Sequence, residues 1–323
     1  MLKKELKFIP VDEYKVKSAV ALIVFNRPDT TMKVFEKVRQ VKPSSLFIIA
    51  DGPRKDNEND AVKCAEVRAI FEKNIDWDCK VFNDFSEVNL GCSKRVSTGI
   101  TWVFNNVDEA IIIEDDCEPD ISFFRYCDEM LEQYRYDTRI MLVSGTNPLL
   151  KWQRGEYSYH FSNFGGIWGW ASWARAWRYY DIDVSQWSSP IIKKMVKFKL
   201  NKIQYLDRSV VYDKLVNNSI NATTWDYQWG FARLIQSGLA IVPNRNLITN
   251  IGHGIDATHN HNLKSPVANL PLSQLEFPLI HPSYVIADKE YDNFLYQKIT
   301  APYWRLYLSL FKRKLLKLLK FSK

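Results

Sequence analysis

Five short apolar runs recur through the first 145 residues, at 19–25, 46–50, 79–82, 110–113 and 140–143, and they constrain the fold more than any other feature of the chain. Each is too short for a buried helix, and as a group they are rich in Val and Ile, which marks strands. The segments between them carry helical spacing. Asp29 can cap a helix that presents Met32, Phe35 and Val38 on one face, and Asp120 can cap another with Phe123, Phe124, Cys127 and Leu131. Strand, helix and strand in repetition predict an α/β fold built on a mainly parallel, Rossmann-like sheet flanked by crossover helices. Ligands of such sheets bind beyond the carboxyl ends of the strands. Chemistry is therefore expected just after the runs, at Asn26-Arg27-Pro28, Asp51-Gly52-Pro53-Arg54 and Glu114-Asp115-Asp116.

From about Tyr157 the character changes to an aromatic-rich stretch containing Gly165-Gly166-Ile167-Trp168-Gly169-Trp170. Helical segments follow around 189–217 and 226–237, then short strands around 239–242 and 246–251. No internal repeat or low-complexity linker separates the halves, which predicts one continuous sheet with an appended second half. The expected divisions are an extension at 1–17, a first half at 18–145, a second half of the same domain at 146–302, and a tail at 303–323.

Charge narrows the partners. The chain has 44 Lys+Arg against 37 Asp+Glu, a formal +7. Arg305, Lys312, Arg313, Lys314, Lys317, Lys320 and Lys323 account for that excess, so the body is balanced and a nucleic-acid partner is not expected. Trp304, Leu308, Phe311, Leu315 and Leu318 recur in the same tail at three- and four-residue spacing. A basic amphipathic helix of this kind can lie on an anionic membrane surface; a terminal helix docked on the body, with its lysines in water, fits the same pattern. The five cysteines form no CxxC pair and are odd in number, so neither a zinc site nor a full disulfide framework is indicated, and a reducing compartment fits best. The longest apolar run near the start ends at Asn26-Arg27 and is too short to span a bilayer, so neither signal peptide nor anchor is read there.

Glu114-Asp115-Asp116 directly follows Ile111-Ile112-Ile113. Three adjacent carboxylates repel one another, and a hard divalent cation is one site that rewards them; the cation could bridge to a diphosphate leaving group. The motif alone is also compatible with an acidic turn before a helix starting near Pro119. In the glycine and tryptophan loop, indole faces can stack on sugars and glycine permits close approach. Trp168, Trp170, Trp173 and Trp177 can equally fill the core between the halves.

The segments VALIVFNRPDTT, LFIIADGPR, NLGCSKRVSTGITWVF and AIIIEDDCEPDISFFRYCDEML, in this order, resemble the nucleotide-sugar domain of inverting GT-A glycosyltransferases, the group of N-acetylglucosaminyltransferase I and its bacterial relatives. FGGIWGWASW and TTWDYQWGFARLIQSGLAIVPNRNLITNIGHG continue the likeness, which covers about residues 18–260. The resemblance implies a GT-A fold with an acceptor-side half. It implies that Arg27 and Asp51 meet the nucleotide, that Arg95 meets the nucleotide or diphosphate, and that Glu114 and Asp115 hold the donor sugar and ribose. Trp168 and Trp170 would line the donor, and Asp116 would bind Mn2+ or Mg2+.

Asp226 is implied as the catalytic base; where that family carries two adjacent Asp between tryptophans, this chain has Asp226 followed by Tyr227 and Gln228. The bland role for Asp226 is a helix N-cap. His253 stands where some GT-A enzymes recruit a late histidine to the metal, and is otherwise a loop histidine bonded to backbone. His259 and His261 diverge at i,i+2 spacing on a helix and do not form a metal pair there.

The expectation is an inverting, metal-dependent glycosyltransferase, using a nucleotide sugar and a saccharide or lipid-linked acceptor in bacterial surface polysaccharide synthesis, at the inner face of the plasma membrane. A sugar nucleotidyltransferase should open with a glycine-rich phosphate loop where Phe25 to Asp29 stand. A carbohydrate-binding scaffold would not need Asp51, Glu114, Asp115, Asp116 and Asp226 together.

Overall fold

The computed structural model describes residues 14–217, 224–252 and 267–299. His253, His259, His261 and the tail 303–323 lie outside the described residues. The first half runs β1 (Ala19–Val24), α1 (Pro28–Val41), β2 (Ser45–Ala50), α2 (Glu58–Asn74), β3 (Lys80–Phe85), α3 (Gly91–Asn106) and β4 (Glu109–Glu114). It continues through β5 (Cys117–Pro119), α4 (Ser122–Gln133) and β6 (Ile140–Ser144). The second half adds β7 (Tyr159–Ser162), β8 (Trp170–Trp173), α5 (Ala174–Trp177), α6 (Pro190–Lys199), α7 (Lys202–Val216), α8 (Asp226–Ile235), β9 (Leu239–Pro243), β10 (Ile248–Asn250) and α9 (Lys289–Ile299).

The expected α/β class, with a mainly parallel central sheet flanked by helices, is what the structure has. Eight strands form one sheet in the order β3-β2-β1-β4-β8-β6-β9-β7, so both halves share it. β3, β2, β1 and β4 are mutually parallel, while β8 enters antiparallel between β4 and β6. β9 runs parallel to β6 and β7 closes the edge antiparallel to β9. Helices cover both faces, which is why β1, β2 and β4 read as unbroken apolar runs. Val20, Leu22 and Val24 pack with Phe35 and Val38 of α1, Val67 of α2 and Phe124 of α4. Ala21 and Ile23 pack on the other face with Val96 and Ile100 of α3, Trp225 just before α8, Trp229 of α8 and Leu295 of α9. A satellite core of Val184, Trp187, Val196, Tyr212, Leu215, Phe231 and Leu234 joins α6 and α7 to the outer face of α8.

Local details differ from the sequence reading. Asp29 does not cap α1: Pro28 opens the helix, Arg27 occupies the cap position, and Asp29 lies in the first turn. Asp120 stands one residue outside the cap of α4, where its carboxylate accepts from the Ser122 N–H at 2.9 Å. The turn after Asp116 leads into β5 before α4 begins, so the three carboxylates do not cap that helix. Asp226 is the first residue of α8 and Trp225 holds the cap position. α9 carried no mark in the sequence reading; Asp288 caps its start by accepting from the N–H groups of Glu290 and Tyr291.

His160, on β7, is buried and neither ring nitrogen has a hydrogen-bond partner among the described residues. Burial pushes its pKa down to about 4, with the Asp288 carboxylate opposing and the Arg154 guanidinium assisting; Tyr291 packs on the ring. An unfolded imidazole protonates near 6.5. Between those values the unfolded chain binds the extra proton, so stability should fall as pH drops through this window. His160→Phe should shrink the loss of Tm between neutral and mildly acidic pH. An identical loss in both proteins would show that His160 plays no part.

Candidate active site

A cleft of about 580 Å³ opens at the carboxyl ends of β1, β2 and β4. It straddles β1 and β4, where the strand order reverses, the usual ligand position in such sheets. One wall comprises Arg27, Asp51, Arg54, Asn89, Gly91, Cys92 and Arg95; Glu114, Asp115 and Asp116 form the floor. Trp168, Trp225, Asp226 and Tyr227 come from the second half, and Asn250 and Gly252 complete the rim.

The acidic floor is held by its own cation. Arg27 donates to Asp115 Oδ1 at 2.6 Å and to Asp116 Oδ2 at 2.9 Å, and the Phe25 N–H donates to Asp115 Oδ2 at 3.2 Å. Burial opposes the charge on Arg27, but Asp115 and Asp116 outweigh it and raise its pKa. The other Asp116 oxygen, Oδ1, accepts from the Cys117 thiol at 3.3 Å and from no other donor among the described residues. Glu114 makes no hydrogen bond among the described residues. Burial, then the Asp116 and Asp115 charges, push its pKa up, and Asp226 adds to this from across the cleft. Burial and the nearby Glu114 and Asp226 charges likewise raise the Cys92 thiol, to about 12, so it stays protonated at neutral pH.

Asp51 lies on the wall, but both oxygens are engaged. They accept from the N–H groups of Gly52, Leu90 and Gly91 at 2.9, 2.9 and 3.0 Å and from Asn89 Nδ2 at 3.1 Å. Its carboxylate thereby fixes the N-terminus of α3 against the cleft, where free N–H groups favour anions. Arg95 lies one turn into that helix and donates to the Asp84 carbonyl at 2.5 Å while pairing with its carboxylate at 2.7 Å; its Nε has no partner among the described residues.

The two tryptophans of the glycine loop part company. Trp168 lines the cleft, whereas Trp170 is fully buried and lines nothing. Its ring stacks on Trp225 at 5.6 Å, behind the start of α8, so it supports the Asp226 turn from the core; Trp173 and Trp177 are core residues as well. The loop glycines serve the same packing. A Cβ on Gly165 would fall 2.6 Å from Leu142 Cδ2, and Gly169 has φ +59° against Ile248. They bring the chain down onto the sheet rather than onto a ligand.

Asp226 faces the cleft from the first turn of α8 with no hydrogen bond among the described residues. Asn89, Tyr227 and Asn250 also line the cleft and were not singled out as site residues from sequence. Arg54, in the stretch after β2 where chemistry was expected, lines it too, pairs with Asp60 at 2.6 Å and lies over the Phe25 ring. Asn250 arrives because β10 pairs antiparallel with β5 and the Ile251 N–H donates to the Asp116 carbonyl at 2.8 Å.

That pairing sets Gly252 against the floor. A methyl there would collide with the Asp116 carboxylate and the Arg27 guanidinium. Gly252→Ala should therefore lower the activity of the site by about 10²-fold, the scale of a roughly 1 Å misplacement, with Tm nearly unchanged. Full activity would show that the floor tolerates displacement.

Among the described residues no three His, Cys, Asp or Glu side chains form a metal-binding group. Asp116, whose Oδ1 accepts only from the weak Cys117 thiol donor among the described residues, instead fits a hard cation of the Mg2+ type, which needs only one or two carboxylates when a phosphate supplies further ligands. No helix among the described residues is long and apolar enough to cross a membrane.

No protein-family model and no curated protein matches the chain. Among solved structures it is similar to the mannosyltransferase PcManGT from Pyrobaculum calidifontis in complex with GDP-Man and Mn2+, at 13% identity and a TM-score of 0.35, over 53% of this chain and 48% of that one. It is also similar to HddC from Yersinia pseudotuberculosis, at 10% identity and a TM-score of 0.26, over 45% of this chain and 59% of that one. Each likeness takes in about half of this chain and less than two thirds of the other structure.

Proposed function

We propose that the chain is an inverting glycosyltransferase of GT-A type, moving a sugar from a nucleotide sugar, UDP-linked in our reading, to a saccharide or lipid-linked acceptor. One observation carries the reading: a single cleft joins a wall bearing Arg27, Arg54, Arg95 and a helix N-terminus to an acidic floor, and faces both with the carboxylate of Asp226, which makes no hydrogen bond among the described residues. Arg95 and the α3 N-terminus suit a diphosphate, which favours N–H groups and a guanidinium fork. Glu114 and Asp115 are within the same floor to accept from sugar hydroxyls, and Trp168 offers a flat face to the donor.

Asp226 takes the proton of the acceptor hydroxyl as its oxygen bonds the anomeric carbon. The bond to the diphosphate oxygen breaks on the opposite face, so configuration inverts and a nucleoside diphosphate leaves. A divalent ion shared between Asp116 and the diphosphate, with His253 as a second candidate ligand, would supply charge neutralisation to that leaving group. Residues 303–323 are proposed to meet an anionic membrane at its cytoplasmic face, beside a lipid-linked acceptor of surface polysaccharide synthesis.

A panel of nucleotide sugars tests the reading. One donor should be hydrolysed to a nucleoside diphosphate only with Mn2+ or Mg2+, and the released sugar should have inverted configuration by NMR. Pyrophosphate release from a nucleoside triphosphate and a sugar 1-phosphate would replace this reading with nucleotidyl transfer. Mn2+ calorimetry should give weak binding to the protein alone and tight binding once UDP is present; tight binding without nucleotide would contradict a shared ion.

A further inference from the structure

We propose that the outer face of α6 is a docking surface for an anionic phospholipid bilayer. α6 buries Val196 in the satellite core and turns Ile191, Met195 and Phe198 outward, at 73%, 59% and 75% exposure. Spacing of four and three residues puts these side chains on one narrow stripe. A helix that sits on a protein body ordinarily faces its large apolar residues inward. Here three of them cover nothing among the described residues.

Charge identifies the occupant. α6 contains four lysines and no acidic residue. Lys193 is drawn inward, pairing with Asp213 and lying over the Trp187 ring, and Lys199 donates to the Leu234 carbonyl. Lys194 and Lys197, exposed beside the apolar stripe, join no ion pair among the described residues. A narrow apolar ridge flanked by free cations matches the boundary of an anionic bilayer, where the side chains enter the acyl region and the ammonium groups remain at the headgroups. A second copy meeting this face across a two-fold axis would bring its own Lys194 and Lys197 against those of the first, a like-charge contact. α6 shares its core with α8, whose first residue is Asp226, so the surface belongs to the layer that carries the acceptor side of the cleft. The inference rests on α6 alone and stands whether or not the cleft transfers sugars.

Flotation of the full chain with vesicles of phosphatidylcholine, alone or mixed with phosphatidylglycerol, tests it. The wild type should bind the anionic vesicles, and less so as salt rises. The triple substitution Ile191→Ser, Met195→Ser and Phe198→Ser should lower partitioning about tenfold or more, since it removes the inserted apolar area. The pair Lys194→Glu and Lys197→Glu should remove the preference for anionic lipid. All five positions are exposed, so Tm should hold in both variants. A direct contact test uses Phe198→Trp, whose added fluorescence should be quenched by lipids brominated in the acyl chain. Unchanged binding by the triple variant, or no added quenching from Phe198→Trp, overturns the proposal; so does a wild-type dimer that the triple variant converts to monomer.

Discussion

Asp226→Asn should leave donor binding nearly unchanged and lower the transfer step by about 10² or more, the usual scale for loss of a general base. The substitution is mild for the fold. Asp226 is the first residue of α8, makes no hydrogen bond among the described residues, and contributes through its charge near a helix N-terminus, a term of about 0.3–1 kcal/mol. Asn favours the same region of a helix, so Tm should shift little. Single-turnover measurement with saturating donor and acceptor isolates the chemical step. An unchanged rate removes Asp226 as base, and a large loss in Glu114→Gln under the same conditions would assign the proton to the other unbonded carboxylate of the cleft.

Asp116→Asn should abolish transfer at any Mn2+ concentration and remove the nucleotide-dependent tightening of Mn2+ binding, because a neutral amide is a far weaker ligand for a hard cation than a carboxylate. The fold should survive. Arg27 keeps Asp115, at 2.6 Å, and the Asn carbonyl can still accept from the Arg27 guanidinium, so the cost is that of one weakened hydrogen bond, about 1 kcal/mol. Calorimetry with UDP and Mn2+ separates this from damage to the wall: nucleotide affinity without metal should be close to wild type. Near wild-type transfer at saturating Mn2+ would remove the metal from Asp116.

The parts of the fold legible in the sequence were those set by local patterning. Runs such as 46–50 and 110–113 became β2 and β4 within a residue or two, because burial on both faces leaves a strand no polar positions. The residues following those strands lie on one edge and in one cleft, as parallel order requires. What escaped depends on distant partners. Nothing near Arg27 announces that it grips carboxylates 88 and 89 positions away, and nothing near Asp51 announces that its oxygens fill with the N–H groups of Leu90 and Gly91. Trp168 and Trp170 look alike in sequence, and only the insertion of β8 between β4 and β6 sends the second into the core. α9 was missed because its buried residues Tyr291 and Leu295 pack with residues of strands such as β1, β2 and β4, which lie far earlier in the chain.

The antiparallel entry of β8 also governs the order in which the chain can mature during synthesis. When the first 145 residues have left the ribosome, β4 has one neighbour, β1, and its other edge offers unpaired N–H and C=O groups along an apolar strand. The partner that closes this edge is Trp170–Trp173, and β6 waits for both β8 and β9. Closure of the sheet is therefore a late, non-local event, and until it occurs the nascent chain carries an adhesive edge next to the strand that ends in Glu114. The acidic floor is held by Arg27 and Phe25 within the first half, whereas the facing residues Trp225 and Asp226 follow β8 in the chain, so a chain that fails to seat β8 has the floor but neither the closed sheet nor the opposite side of the cleft.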